Sequence, residues 1–485
     1  MTEFIKDRKL AVIIVGIFLI ALVIRLSIID LRPLHHDEGV DAISFVKPLY
    51  DSGEYQYNPK APYHGPFLYY ANAVSFTIFG VNEFGLRFFG VLFSSLLVLF
   101  VYPLRKYLGY FGSIAAAFFI VLSPIFVHYS TYSSSHELPF LLFELSIVVF
   151  FFLFYESRER KYLYAGVVSI GLLFTTKETA YAAMLLFFLS FLGVIACTKT
   201  KKTYFASIKN NIRQVVSLVL TYRKDVIASV LIAFFVFAVF YTSFFKYPNN
   251  LLPTVTDTLP YMLSFSQVYK GHEKPFLYYT DLFWKYDIAL LAFTLIGLSY
   301  FRKNIFVRFI AFLSVLTWLS FSYVDYKTPW LVLHIMLPMV FVAGIGAQEI
   351  YRKIGKYAIL IMVIVFVYTT WISYNTNYIE HSGQFNQLAY VTTTPELVDV
   401  VNRIYTFNKS AEIKVLSPEH WPLPWYLRDY KRVGYYGQII DKPDADVVIV
   451  KKEDKEKLQG NLTGTYDIRD YQLRYGVWLT AFYRV

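Results

Sequence analysis

The sequence contains very little cysteine and little charge. Cys197 is the only cysteine among 485 residues, so an internal disulfide and a cysteine metal cluster are both excluded. Charged residues make up 17% of the chain, whereas hydrophobic residues make up 56% and the mean hydropathy is +0.44. This composition excludes a water-soluble fold and indicates a protein that crosses a membrane several times.

Motifs of several common soluble enzymes are also missing. No Walker loop, no Gly-x-Gly-x-x-Gly unit after a strand and no Gly-x-Ser-x-Gly elbow occurs in the sequence. Nucleotide hydrolysis and serine hydrolysis therefore have no support. An active site outside the cell would also lack ATP and nucleotide sugars, so a donor would have to arrive through the lipid.

Long apolar runs occupy most of the first 375 residues. A helix needs about 20 apolar residues to cross a bilayer. Runs near this length occur at 10–30, 84–104, 111–128, 138–155, 162–176, 180–197, 225–246, 286–301, 305–322, 329–349 and 356–374. We therefore predict an α-helical polytopic membrane protein with about 11 transmembrane helices, of which the first is a retained anchor and not a signal peptide.

The net charge is +11, and many of the basic residues lie in the loops that the predicted topology places in the cytoplasm. Short basic clusters separate the apolar runs, as the positive-inside rule requires for cytoplasmic loops. These clusters are Arg105-Lys106, Arg158–Lys161, Lys199–Lys202, Arg302-Lys303 and Arg352-Lys353. We read residues 66–80 as a juxtamembrane or re-entrant helix, because counting them as a span would move the later clusters outside. No nucleic-acid partner is indicated, and the unusual polar residues fall on the outer face.

The composition changes near residue 379. Apolar runs shorten, and strand-like pieces appear at Glu412–Leu416, Val447–Val450 and Gly476–Val485. Thr394-Pro395-Glu396 is typical of a helix N-cap and first turn, with the helix continuing to about Asn408. We predict a transmembrane unit over residues 1–378, with a catalytic outer loop at 32–63, and a small extracytoplasmic α/β domain over 379–485.

The most informative segment lies just after the first span, where His35, His36, Asp37 and Glu38 are adjacent. Ionisable side chains are costly at a membrane boundary and therefore indicate a function. Neighbouring residues on a helix point about 100° apart, so Asp37 and Glu38 cannot share one proton. One acid is expected to act as a base while the other binds a metal, a substrate hydroxyl or a partner cation. The alternative is a helix N-terminus capped by acids.

Histidines raise a second hypothesis, a divalent metal such as zinc. Five of them can reach the outer face and join the carboxylates: His35, His36, His64, His136 and His272. No His-x-x-x-His spacing occurs, so hydrogen-bonding histidines remain the alternative.

Other charged residues near predicted helix ends each allow two interpretations. Glu83 and Arg87 have the spacing of an i,i+4 ion pair, yet an arginine at this depth also suits a lipid-linked phosphate. Lys177 and Lys327 could hold a phosphate or take part in structural pairs. Glu137 could cap its helix. The Trp421–Tyr426 stretch could pack in a core or stack on sugar rings.

Five segments of the first 200 residues carry a family resemblance: His36-Asp37-Glu38-Gly39, Tyr63–Tyr70, Gly80–Arg87, Ser123-Pro124 and Thr176-Lys177-Glu178. In these segments the chain resembles GT-C membrane glycosyltransferases that use polyprenyl-phosphate sugars, including protein O-mannosyltransferases and lipid A aminoarabinose transferases. Two further segments, Tyr326–Trp330 and Trp421–Tyr426, look like a mainly archaeal subgroup associated with flippase activity in protein N-glycosylation.

The resemblance implies that Asp37 is the catalytic aspartate of the first outer loop, with Glu38 beside it. It also matches Arg87 to an arginine in the outer part of the second span. His64-Gly65-Pro66 stands where relatives have His-Pro-Pro or Glu-Lys-Pro, so the phosphate-contacting lysine of some relatives is missing. Where relatives often have aspartate before the fourth span, this chain has His136-Glu137.

We therefore predict transfer of a sugar from a polyprenyl or dolichyl phosphate to a glycan, protein or lipid acceptor at the outer face of the cytoplasmic membrane. The predicted catalytic residues are Asp37 and Glu38, and the predicted donor-phosphate contacts are Arg87, Lys177 and Lys327. Further substrate contacts are expected from His36, His64, Glu83, Glu137 and Trp330. The alternative function is a non-catalytic component of a lipid-linked sugar flippase.

Overall fold

The computed structural model describes residues 2–59, 64–132, 136–197, 204–268 and 271–485, and the structural statements below refer to this part of the chain. The predicted basic cluster Lys199–Lys202, together with Tyr63 and the last residues of the 32–63 loop, lies outside the described residues.

Helices form nearly all of the chain up to residue 379. Eleven described helices precede residue 198: α1 Thr2–Leu26, α2 His36–Asp41, α3 Lys47–Ser52, α4 Phe67–Phe79, α5 Glu83–Leu96, α6 Arg105–Leu108, α7 Tyr110–Leu122, α8 Pro124–Ser130, α9 Glu137–Ser157, α10 Arg160–Phe174 and α11 Ala180–Cys197. Eight follow it: α12 Tyr204–Thr221, α13 Arg223–Tyr241, α14 Leu251–Val268, α15 Tyr278–Tyr286, α16 Ile288–Leu298, α17 Ile305–Tyr323, α18 Val332–Ile354 and α19 Tyr357–Tyr374.

The described helices include eight that are long and apolar enough to cross a membrane, and a ninth if α7 and α8 form one span bent by 53°. The bend falls at Ser123-Pro124, where proline removes a backbone donor from the helix. Two other predicted spans coincide with α10 and α16, which are 15 and 11 residues long. The polytopic helical class is confirmed, and by length and composition the spans number eight or nine.

Helix α18 lies at the centre of the helical part. The span that contains it is 89% buried, whereas the span that contains α19 is 22% buried. Small residues let α18 approach its neighbours closely: a Cβ on Gly344 would lie 2.7 Å from the Gly112 carbonyl oxygen in α7. Close backbone contact at small residues is how helices pack where lipid supplies no hydrophobic drive. The exposed apolar side chains of α19 are those expected to face lipid.

The tail forms one five-stranded sheet with three short helices. The elements are α20 Glu396–Ile404, β1 Glu412–Val415, α21 Leu423–Tyr426, β2 Arg432–Tyr435, β3 Val447–Lys451, α22 Lys455–Gln459, β4 Tyr466–Arg474 and β5 Val477–Arg484. The strand order is β2-β1-β3-β5-β4, with β1 parallel to β2 and β3, and β5 antiparallel to β3 and β4. The predicted strands β1, β3 and β5 and the helix α20 are confirmed.

The sequence prediction was wrong about the start of α20. Thr394 does not cap this helix, because its hydroxyl donates to the carbonyl of Gln472 on β4. Glu396 also accepts a hydrogen bond from the Gln472 amide at 2.6 Å. Only the Thr394 cap was wrong: Glu396 lies in the first turn as predicted, and both side chains attach the helix to the sheet edge.

Candidate active site

Helix α2 starts with a reciprocal cap that determines where its two acids point. The His35 Nδ1 atom accepts from the Asp37 amide at 3.1 Å, and the Glu38 carboxylate accepts from the His35 amide at 2.8 Å. Such a capping box satisfies two amides that a helix start leaves open. The alternative interpretation of the sequence, a helix N-terminus capped by an acid, is therefore present, and Glu38 is the capping acid.

Glu38 is fully buried in a bidentate ion pair with Arg87 from α5. The two distances are 2.8 Å from Arg87 Nε to Glu38 Oε1 and 2.7 Å from Arg87 Nη2 to Glu38 Oε2. Arg87 also donates to the carbonyls of Ile29, Arg32 and Pro33 at 2.7, 2.9 and 3.2 Å. These five bonds use all five N–H donors of a guanidinium. The geometry argues against a phosphate contact by Arg87 and against a direct catalytic role for Glu38.

Glu83 and Arg87 could have formed an i,i+4 ion pair, but each side chain has a different partner. Glu83 accepts from the Trp425 indole N–H at 2.8 Å, while Arg87 pairs with Glu38. The Asn82 side chain caps α5 by accepting from the Gly85 amide at 2.7 Å. Glu83 thereby connects the N-terminal end of α5 to α21 in the tail.

Asp37 remains available at the surface of this cluster. Its side chain is 29% exposed, whereas that of Glu38 is 1% exposed. The Tyr132 hydroxyl lies 2.9 Å from Asp37 Oδ2, and His35 Nδ1 lies 3.8 Å from the same oxygen. A partly exposed carboxylate held by one hydroxyl can accept a proton from a substrate.

The predicted contact residue His36 lies between α2 and the tail. Its Nδ1 atom is 3.4 Å from Arg474 Nη1, and its ring meets the Trp421 ring edge-on at 6.5 Å between centroids. Burial lowers the pKa of His36 to about 4, while the Asp37 charge opposes this shift. His36 is therefore neutral near pH 7.

A second polar cluster contains His64, Glu137 and Lys177. Backbone bonds from Gly65 to Thr176 and from Phe67 to Thr175 join the start of α4 to the turn after α10. Lys177 forms a buried ion pair with Glu137, and His64 Nδ1 lies 3.7 Å from Glu178 Oε2. Burial is the main cause that lowers the pKa of His64. Three predicted site residues are therefore brought together.

His136 joins this second cluster to α2. Its Nε2 atom lies 3.4 Å from Asp41 Oδ2, and its ring centroid lies 4.3 Å from that of His64. The second cluster consequently lies beside the C-terminal end of the helix that carries Asp37.

Trp330 lies beside His35, while Lys327 precedes it on the same loop. The Trp330 ring centroid is 6.3 Å from that of His35 and 6.0 Å from that of Tyr132. The Lys327 ammonium donates to the carbonyls of Lys274 and Val324 at 3.0 and 2.5 Å. Burial lowers the pKa of Lys327, against the attraction of Asp325.

A cavity behind His35 has residues that sequence reasoning missed. It encloses about 320 Å³ of empty space, including its open mouth, and its lining includes Arg32, His128, Tyr129, Tyr132, Trp330 and Tyr390. Arg32 Nη1 lies 2.8 Å from His128 Nε2, and burial lowers the pKa of Arg32 to about 10. The sequence offers no signal for Tyr390, which reaches His35 across 355 residues.

The predicted metal-binding histidines do not form one group: His64 and His136 lie together, whereas the other three have different partners. His35 contacts Tyr390 and Asp37, His36 contacts Arg474, and His272 Nδ1 lies 2.9 Å from the Tyr390 hydroxyl. Within the described ranges, no group of three or more His, Cys, Asp or Glu side chains is placed to hold a metal ion. The geometry therefore favours the hydrogen-bonding alternative for these histidines.

Gly39 is the point where α2 touches the tail. A Cβ at this position would lie 2.7 Å from Pro422 Cβ and 2.9 Å from Pro422 Cα, closer than atoms of a packed interior approach. We expect Gly39→Ala to cost about 1–3 kcal/mol of stability, because overpacking of a filled contact costs that much. Thermal unfolding in detergent measures the loss.

The control for this prediction is Gly16→Ala in α1, where an added Cβ meets nothing within 4 Å. Equal unfolding temperatures for the two variants would contradict a tight contact between α2 and Pro422.

The fold and the site define a polytopic helical membrane protein with a partly exposed carboxylate, Asp37, shortly after its first span. Residues 63–222 match the family model described as dolichyl-phosphate-mannose-protein mannosyltransferase. A curated Aquifex aeolicus (strain VF5) relative, described as an uncharacterized protein, is 33% identical over 141 residues. That stretch is 28% of this chain and 26% of the relative, so the chain matches about a quarter of that protein's length.

Two solved structures share the fold over nearly the whole chain. ArnT from Cupriavidus metallidurans, bound to undecaprenyl phosphate, superposes with a TM-score of 0.66 at 12% identity and covers 96% of this chain and 97% of ArnT. AglB, an archaeal oligosaccharyltransferase from Archaeoglobus fulgidus in complex with an inhibitory peptide and a dolichol-phosphate, gives 0.56 at 14% identity, over 91% and 70% of the two chains. The chain therefore shares the fold of ArnT and AglB, and the match to the mannosyltransferase family model is confined to residues 63–222.

Proposed function

We propose that this protein transfers a sugar from a polyprenyl or dolichyl phosphate to an acceptor hydroxyl, with Asp37 as the general base. The proposal rests on the different environments of the two adjacent acids in α2. Glu38 is buried against Arg87, while Asp37 stays partly exposed next to Tyr132. The named lipids of the ArnT and AglB structures, an undecaprenyl phosphate and a dolichol-phosphate, support this class of donor.

The reaction that fits this site is a single displacement. Asp37 takes the proton of the acceptor hydroxyl as its oxygen attacks the anomeric carbon, and the lipid phosphate departs from the opposite face. The departing phosphate gains negative charge, which nearby cations stabilise. Lys177 and Lys327 are the proposed cations, because the Arg87 donors are already used by Glu38 and three carbonyls.

The proposal also includes the orientation of the protein in the membrane and its division into two units. We place Asp37 and the 379–485 domain on the extracytoplasmic side of the cytoplasmic membrane, because this orientation leaves the basic clusters inside. We treat residues 1–378 as the transferase unit. Membership of the archaeal subgroup rests on the Tyr326–Trp330 and Trp421–Tyr426 segments.

The test is a transfer assay with purified protein in detergent or proteoliposomes. Polyprenyl-phosphate sugars with different labelled head groups are offered together with membrane acceptors, and nucleotide sugars serve as control donors. We expect label in the acceptor fraction only with a lipid donor. Absence of transfer from every lipid donor would move support to the alternative function, a non-catalytic component of a lipid-linked sugar flippase.

Lys327→Met provides a prediction about the donor phosphate. Loss of a cation that stabilises the departing group is expected to lower kcat by about 10²-fold, the range seen when one oxyanion donor is removed. Steady-state transfer kinetics measure the change. Lys285→Met is the matched control, because Lys285 is exposed and also donates to a backbone carbonyl, that of Phe385. Equal kcat values in the two variants would remove Lys327 from the phosphate site.

A further inference from the structure

The Tyr132 hydroxyl connects Asp37 to a buried histidine. It lies 2.9 Å from Asp37 Oδ2 and 2.8 Å from His35 Nδ1, both ordinary hydrogen-bond distances. A tyrosine hydroxyl has one hydrogen, so it donates to only one of these acceptors at a time. Tyr132 and His35 are both buried, at 8% and 6% exposure.

The other ring nitrogen of His35 fixes the tautomer. Nε2 lies 2.9 Å from the Tyr390 carbonyl oxygen, which can only accept, so Nε2 carries a hydrogen. In the neutral ring Nδ1 then holds a lone pair, and it accepts from the Asp37 amide at 3.1 Å. Nδ1 is therefore the atom at which His35 can gain a proton.

The proposed transfer reaction requires an atom that can accept the proton from Asp37. The lipid phosphate leaves as an anion, so the hydrogen removed from the acceptor hydroxyl does not leave with it. Asp37 must be ionised again before the next turnover. While substrates cover the exposed part of Asp37, the direct path from its carboxyl to water is blocked.

We propose that Tyr132 and His35 form a proton relay for Asp37, an inference that rests on the proposed function. The acceptor proton first binds Asp37 Oδ2. It then passes to the Tyr132 oxygen while the original Tyr132 hydrogen passes to His35 Nδ1. Asp37 is again a carboxylate, Tyr132 is again a phenol, and His35 is an imidazolium. Its two N–H groups then donate to Tyr132 and to the Tyr390 carbonyl, and His35 returns the proton to water after product release.

The surroundings of His35 suit a temporary cation. The Tyr132 ring meets it at 4.7 Å between centroids with an interplanar angle of 79°, and the Trp330 ring lies at 6.3 Å. Aromatic rings attract a nearby cation through their electron-rich faces. The opposing factor is the Asp37 amide, which loses its acceptor when Nδ1 is protonated, so the charged state is transient.

Tyr132→Phe tests the relay because it removes the hydroxyl and keeps the ring. We expect kcat to fall by about 10²-fold, the lower range for loss of positioned proton transfer, with KM for the donor unchanged. We also expect the dependence of kcat on the deuterium fraction of the solvent to change from curved, with several protons moving, to linear. Tyr129→Phe is the matched control: it lines the same cavity but donates to the Leu388 carbonyl at 3.1 Å.

His35→Asn is the second variant. Asparagine caps helix starts well, so α2 keeps its cap, but the side chain cannot store a proton. The relay predicts the same fall in kcat and the same linear isotope dependence. Wild-type kcat and a curved dependence in both variants, with the wild type active, would overturn the relay. An inactive wild type would instead count against the proposed function, so the two failures are distinguishable. If Tyr132→Phe unfolds, His35→Asn decides alone.

Discussion

Asp37→Asn lowers kcat for sugar transfer by about 10²–10⁴-fold, the range for loss of a general base, and leaves the folded protein intact. The asparagine side chain has the same shape and can still accept from Tyr132, but its amide cannot take the acceptor proton. The measurement is the rate of label transfer from a saturating polyprenyl-phosphate donor. Donor binding, measured separately, is expected to remain.

The control for Asp37 is Asp51→Asn in the segment between α1 and α4. Asp51 is about half exposed and pairs with Lys47 four residues earlier, so it has no part in the proposed chemistry. Transfer by Asp37→Asn at the Asp51→Asn rate would mean that another group removes the proton.

Breaking the buried pair between Glu38 and Arg87 is expected to cost about 3–5 kcal/mol of stability, because each single substitution leaves an unpaired charge out of water. Glu38→Gln leaves the Arg87 guanidinium with only carbonyl partners, and Arg87→Met leaves the Glu38 carboxylate without its cation. The side chains of Glu38 and Arg87 are each 1% exposed. The unfolding temperature in detergent is the measurement.

A double variant distinguishes the effect of an unpaired charge on stability from the effect of altered packing. Glu38→Gln combined with Arg87→Met removes both charges, so we expect it to recover part of the loss. The comparison pair is Asp7 with Arg105, an exposed ion pair of 2.9 Å, where Asp7→Asn should change stability much less. A double variant as unstable as the sum of the two single variants would show that the pair has no special coupling.

The sequence was informative about the membrane spans and about the segment that carries the chemistry. Hydropathy identified every described helix that is both long and apolar enough to cross a bilayer, because lipid requires an apolar surface whatever the tertiary contacts. Sequence also predicted that two adjacent acids must have different roles and that one could bind a partner cation. Arg87 is that cation, and it was available in the sequence as a residue of interest.

The partners of Asp37 could not be read from the sequence. Tyr132, which bonds to Asp37, and Tyr390, which bonds to His35, are ordinary aromatic residues in a chain that is 20% aromatic, so no pattern distinguishes them. Their roles depend on contacts across 95 to 355 residues, which local periodicity does not encode. The strands β2 and β4 were missed for a related reason: they lie at the two edges of the sheet and are less apolar than β3.

The contact between the helical part and the tail was also beyond sequence reasoning. Leu34, just before α2, receives a hydrogen bond at its carbonyl from the Thr393 hydroxyl and donates its amide to the Tyr426 hydroxyl, at 2.6 and 2.9 Å. Together with Gly39 against Pro422, these bonds fix the segment that presents Asp37. The Trp421–Tyr426 stretch, for which packing and sugar stacking were both open, supplies packing contacts to α2 and α5.

The most direct test of the account follows the fate of both halves of a doubly labelled donor, with one label in the sugar and another in the polyprenyl phosphate. We expect purified wild-type protein to move the sugar label to an acceptor and to release one free polyprenyl phosphate for each sugar moved. A donor that stays intact, whether it remains in place or only changes leaflet, would contradict sugar transfer and support the flippase-associated alternative.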